Sequence, residues 1–151
     1  MTRIVLHTNQ LARDLPDGIY VRWGDSRPDV LKAVIIGPQG TPYANGLFEF
    51  DMFIPDNYPY KPPLVKFITT GSGKIRFNPN LYADGKVCLS LLGTWDGRPW
   101  DPKMSSLYQV MLSMQAMIFN NEPMTNEPGF ESYRGTPISA AYNRSIWSWT
   151  R

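Results

Sequence analysis

The chain has very little cysteine and histidine: one of each, Cys88 and His7, in 151 residues. A single cysteine excludes an internal disulfide, and no Cys/His pair sits at zinc-ligand spacing, so neither a disulfide staple nor a structural metal is expected. No cofactor-binding motif stands out. A Cys-His hydrolase dyad would depend on one tertiary contact between residues far apart in sequence. There is no block of five or more Lys/Arg, and a net charge of +2 is mild, so nucleic acid and polybasic membrane contact gain no support. No apolar run approaches membrane-spanning length, and Met1 to Gln10 has no apolar core of the kind a signal peptide carries. These absences predict a soluble protein of a reducing compartment, cytoplasmic or nuclear, that makes no use of membrane or nucleic acid.

What is abundant is proline, 14 residues, clustered between periodic segments. That distribution predicts long shaped loops rather than disorder. The length fits one domain spanning 1–151, large enough for a core without covalent staples. Thr2 to Asp14 reads as an opening helix, with Ile4, Leu11 and Leu15 along one stripe and Val5 and Leu6 close by; Leu15-Pro16-Asp17-Gly18 ends it. Strand patterns follow at Ile19 to Trp23, Leu31 to Ile36, Leu47 to Ile54 and Leu64 to Thr69, the first two joined by Gly24 to Asp29. Four strands without an intervening helix predict an antiparallel meander. Met104 to Asn120 reads as a helix, because Leu107, Val110, Met111, Met114, Met117 and Ile118 recur at steps of three and four, with Ser105 or Ser106 as N-cap. The methionine stripe is assigned to core packing rather than to a peptide groove. A loop over Met124 to Gly135 and a weaker helix from Ile138 to Thr150 complete an α+β domain.

The chemistry concentrates in Phe77 to Leu92. Asn78-Pro79-Asn80 biases the backbone away from helix, and Asp84-Gly85 supplies a tight turn just before Cys88. Core filler is the ordinary use of an unpaired cysteine. Here the turn signals on its N-terminal side place the thiol beside an amide instead.

The Asn-Pro-Asn tripeptide, the eight-residue step from Asn80 to Cys88 and the Gly85 to Leu89 run Gly-x-x-Cys-Leu resemble the active-site segment of ubiquitin-conjugating (E2) enzymes. The string Phe77 to Thr94, with Asn121-Glu122-Pro123 and Asn126-Glu127-Pro128-Gly129-Phe130-Glu131, is similar to a subgroup of large E2s. That subgroup includes the giant E2/inhibitor-of-apoptosis hybrid, the E2/E3 hybrid and the E2 that accepts both ubiquitin and FAT10. The resemblance implies a UBC-like fold: N-terminal helix, four-stranded meander, active-site segment, central helix and C-terminal helices. It implies a transferase that takes ubiquitin or a ubiquitin-like protein from an E1 as a thioester on Cys88. The acyl group would then pass to a substrate lysine or to an E3 cysteine. In that reading Asn80 stabilises the oxyanion or holds the loop, and Ser90, Asn126 and Glu127 lie on the side of the incoming lysine. The opening helix helps dock the E1, while Tyr60, Pro62, Trp100, Pro102 and Lys103 meet the E3.

The residues themselves fit acyl transfer. Thiolate is a nucleophile near neutral pH and a good leaving group from acyl carbon, and a histidine base at the thioester would promote hydrolysis. Three features depart from the common E2 pattern: Asn78 stands where a histidine is usual, Ser90 where an aspartate is common, and the loop Gly93 to Lys103 is lengthened, with Trp100-Asp101-Pro102 in place of Trp-Ser-Pro. The alternative is a non-catalytic E2-variant binding module, against which the retained Asn80 and Cys88 count. A cysteine hydrolase is disfavoured by the single histidine.

Overall fold

A computed structural model describes residues 2–151. Helix α1 spans Arg3–Asp14, opened by Thr2, whose side chain accepts from the Val5 N–H. Its buried positions are His7, Thr8 and Leu11. Val5 and Leu6, expected near the stripe, are exposed at 40% and 45%. Strands β1 (Ile19–Gly24), β2 (Arg27–Ile36), β3 (Leu47–Phe53) and β4 (Leu64–Phe67) follow, and they pair in that order as the expected antiparallel meander. β2 begins earlier than its hydrophobic pattern indicates. The register shifts at Trp23/Gly24, and Pro28, which lacks an N–H, lies beside that irregularity, where a missing ladder donor is tolerated.

Alternation along β3 sorts the sheet faces. Phe48, Phe50, Met52 and the following Ile54 are buried, and Glu49 and Asp51 lie on the other side, where both reach Lys32 of β2. Leu31, Ala33 and Ile35 of β2 and Ile19 and Val21 of β1 extend the inner face. Against it packs α2 (Leu107–Ser113), capped by Ser106, whose hydroxyl accepts from the Gln109 N–H. Rather than running on as α-helix to Asn120, α2 widens into a π turn over Met114–Ile118. Leu107, Val110, Met111, Met114 and Ile118 are buried, but Met117, expected in the stripe, is 59% exposed. A wider turn rotates side chains off the 3.6-residue period that the sequence pattern assumes.

The rest of the expected C-terminal helical region comprises 3-10 turns at Pro123–Asn126 and Glu131–Tyr133 and one α-helix, α3 (Pro137–Thr150), which buries Ser139 and Ile146. Aromatic rings fill the centre: Phe48 packs on Tyr43, Phe67, Phe77 and Phe119 at centroid distances of 4.8–6.4 Å. Tyr43 comes from the 37–46 connection, which folds back so tightly that a Cβ on Gly37 would lie 1.7 Å from the Tyr43 carbonyl oxygen. The segment carrying Asn80 and Cys88 closes the free side of β4, with the Phe67 N–H donating to the Gly85 carbonyl at 2.8 Å and Lys66 bridged to Lys86.

Candidate active site

The segment from Phe77 to Thr94 is fixed by hydrogen bonds at every turn. Gly85 adopts φ +96°, and a Cβ there would come within 2.8 Å of the Phe67 carbonyl, so only glycine lets this turn lie against β4. The Asp84 side chain accepts from the Lys86 N–H at 2.9 Å. Leu81 and Val87 then pair as an isolated bridge, and the chain reaches Cys88 opposite Asn80.

There the two expected residues meet in both directions. The Cys88 N–H donates to the Asn80 carbonyl, and the Asn80 amide Nδ2 donates to the Cys88 carbonyl, both at 2.8 Å. Asn80 is buried, and its Oδ1 has no hydrogen-bond partner among the described residues. Its backbone is held by Asn78, whose Oδ1 accepts from the Asn80 N–H. Asn78 is fully buried and donates to the Tyr43 hydroxyl and to the Ile118 carbonyl, each at 2.8 Å. Tyr43 in turn donates to the Phe77 carbonyl. A neutral amide suits this position: a buried group with several partners would carry a desolvation cost if charged.

On the other side, Thr94 clamps the residues around the cysteine. Its hydroxyl accepts from the Leu89 N–H at 3.0 Å and donates to the Val87 carbonyl at 2.7 Å. Thr94 ends the string similar to the large E2s, but nothing in the sequence marks it or Tyr43 as a clamp; Gly93, directly before Thr94, is the left-handed cap of a 3-10 turn (Ser90–Leu92). Ser90 starts that turn and faces Gly97 of the lengthened loop.

Cys88 is 2% exposed. Burial pushes its thiol above the ordinary range, Lys86 and Arg76 pull it down, and Asp84 and Glu127 push it up. The single histidine is elsewhere: Nδ1 of His7 meets the Tyr58 hydroxyl. No Cys-His dyad forms.

The residues expected on the lysine side separate. Asn126 is turned inward, receiving a hydrogen bond from Asn120 at 2.7 Å and donating to the Met117 carbonyl and to Asn78 Oδ1. Glu127 stays half-exposed, 3.5 Å from Arg76. Arg76 also donates to the Pro79 carbonyl and lies over the Tyr82 ring at 4.1 Å.

The expected E3-facing residues come together, with one exception. Tyr60, Trp100, Pro102 and Lys103 line one cavity of about 800 Å³, and Pro62 lies outside its lining. Trp100 Nε1 donates to the Pro59 carbonyl at 2.6 Å, tying the lengthened loop to the proline-rich one. No group of three or more His, Cys, Asp or Glu side chains among the described residues converges as a metal site does.

Comparison with known proteins places this geometry in context. The ubiquitin-conjugating enzyme family model matches residues 3–144. The chain is 55% identical over 139 residues to a probable ubiquitin-conjugating enzyme, protein 17, of Caenorhabditis elegans, covering 90% of this chain and 19% of that one. It is 49% identical over 149 residues to the human dual E2 ubiquitin-conjugating enzyme/E3 ubiquitin-protein ligase BIRC6, covering 94% of this chain and 3% of that protein. The chain thus spans only a small part of the length of these relatives. A solved Plasmodium vivax ubiquitin conjugating enzyme E2 superposes with a TM-score of 0.65 at 28% identity, covering 77% of this chain and 98% of that one.

Proposed function

The chain belongs to the ubiquitin-conjugating enzyme family, and on that premise we propose that it carries ubiquitin, or a ubiquitin-like protein, as a thioester on Cys88. The observation that carries this reading is the reciprocal hydrogen bonding of Asn80 and Cys88 at 2.8 Å. It presents a single cysteine at a fixed place beside an amide, with no histidine at hand.

In the first step the Cys88 thiolate attacks the acyl carbon of the E1 thioester. A new C–S bond forms, and the E1 thiolate leaves. In the second, an amine attacks the same carbon, the C–S bond to Cys88 breaks, and the amine gives its proton to solvent or to a nearby carboxylate. In this reading Glu127, half-exposed and, like Asp84, felt by the thiol, takes that proton. Negative charge grows on the acyl oxygen in both steps. Asn80 has already spent one N–H on the Cys88 carbonyl; its second is the donor left for that oxygen. The partners are the E1, an E3 ligase and substrate lysines, met in the cytoplasm or nucleus.

A charging assay tests the reading. The protein mixed with E1, ATP and ubiquitin is expected to gain the mass of one ubiquitin on a non-reducing gel. The band should vanish with reductant and in Cys88→Ala, and persist under reductant in Cys88→Ser as an ester. Failure with ubiquitin and with every ubiquitin-like modifier tried would leave a binding module that has kept its cysteine.

A further inference from the structure

Arg76 lies at the surface and is nevertheless held at three points. Its Nη2 donates to the Pro79 carbonyl at 2.8 Å, and the same nitrogen lies 3.5 Å from Glu127 Oε2. Its guanidinium carbon stands 4.1 Å from the centre of the Tyr82 ring. With the two side chains 43% and 41% exposed, an ion pair of this kind adds little to stability, and ordering an arginine costs side-chain entropy. Stability alone does not account for so fixed a side chain.

What the three points hold lies on both sides of Cys88. The Pro79 carbonyl belongs to the peptide unit whose N–H is that of Asn80, and that N–H donates to Asn78 Oδ1 at 2.8 Å. The peptide leading into Asn80 is thus gripped at its carbonyl edge by Arg76 and at its N–H edge by Asn78. The second contact of Arg76 reaches Glu127, whose carboxylate has no other partner within ion-pair distance among the described residues. Asp84, the other acid felt by the thiol, already accepts from the Lys86 N–H. Beyond the pair lies a cleft of about 490 Å³, bordered by Arg76 and Glu127 and walled by Met124, Phe130, Tyr142 and Trp149, so close packing does not fix the carboxylate on that side. A planar guanidinium can bond a carbonyl, face a carboxylate and cover a ring at once; an ammonium, a point charge on a flexible stem, does not.

We infer that Arg76 is a positioning residue for acyl transfer to an amine: it sets the Glu127 carboxylate at a fixed place relative to the Asn80 peptide. The inference rests on the reading of the chain as a carrier in which Glu127 takes the proton of the attacking amine. As the C–N bond forms and Cys88 leaves as thiolate, that proton passes to Glu127 and on to solvent, and Arg76 touches none of the reacting atoms. Loss of Arg76 therefore acts through Glu127, and its cost disappears where Glu127 is already neutralised.

The test charges the chain with ubiquitin, quenches E1, adds free lysine and follows loss of the thioester in a single turnover. Glu127→Gln should slow discharge by at least about tenfold. Arg76→Met, which keeps an unbranched stem over Tyr82, should slow it about fivefold, and the double variant should stay within about twofold of Glu127→Gln alone. Lys86→Gln weakens the field on the thiol without touching Glu127, so its loss should multiply with that of Glu127→Gln. Arg76→Lys keeps the charge but not the planar reach, and should remain about threefold slow. Charging by E1, a step that takes no proton from an amine, should slow less than about twofold in Arg76→Met. Losses of Arg76→Met and Glu127→Gln that multiply, full activity in Arg76→Lys, equal slowing of charging and discharge, or a charged wild type that lysine does not discharge would each overturn the inference while leaving the carrier reading in place. A wild type that never charges removes the carrier reading, and the role of Arg76 falls with it.

Discussion

Cys88 is tuned by opposing influences, of which burial is the largest. A thiol pushed above its ordinary range is mostly protonated near neutral pH, and the thiolate that attacks is a minor form. Alkylation of Cys88 by iodoacetamide should therefore rise about tenfold per pH unit from about pH 7 to 8.5. Lys86 lowers the thiol's pKa; with that charge removed, Lys86→Gln should react more slowly at every pH in the range. Equal rates would show that Lys86 does not act on the thiolate. The sequence made Cys88 and Asn80 legible because their signals are local: a proline-biased turn and an Asp-Gly turn set a fixed spacing. Tyr43 and Thr94 were not legible, since an ordinary tyrosine and threonine become structural only through tertiary contacts. The contacts of Asn126 were not legible for the same reason. Its amide is used by Asn78 and Asn120, a pairing visible only once three loops meet.

Between elements, α1 is joined to the loop after β3 through His7 and Tyr58, whose rings also meet edge to face at 5.6 Å. Burial and the nearby Arg3 lower the His7 pKa below its ordinary value, so the native state favours the neutral ring. The unfolded chain then binds the proton more readily, and the stability contributed is present above about pH 6.5 and lost as pH falls through the lower native value. The urea midpoint should drop between about pH 7.5 and 5, and His7→Gln should flatten that part of the drop. An unchanged pH slope in the variant would remove His7 from this role. Strand β3 was readable from its alternation alone. The start of β2 was not, because Pro28 and Asp29 carry the same marks in a turn as beside a strand irregularity. The π turn escaped too: residues at steps of three and four look alike whether or not the helix widens after Ser113.

The whole molecule is a sheet folded over α2, and its reactive segment is built on the same aromatic centre. Phe77, at the start of that segment, packs on Phe48 and Phe67. Phe48→Ala should cost about 3–5 kcal/mol in denaturant unfolding, a large fraction of the roughly 5–15 kcal/mol available to such a domain. Charging should be lost at the temperature where the variant unfolds, not before. The α+β class and the strand order followed from sequence because four strands without a helix leave few topologies.

The hydrogen bond from Phe67 to Gly85 and the Lys66–Lys86 bridge reach beyond catalysis. β4 is the last strand of the sheet, and on its outer side this contact stands where another chain could add a strand. If the segment carrying Cys88 peels away, that edge is laid open to self-association. Storage conditions or substitutions that loosen the thiol's loop should therefore announce themselves as turbidity, for the segment that carries Cys88 is also the protein's guard against aggregation.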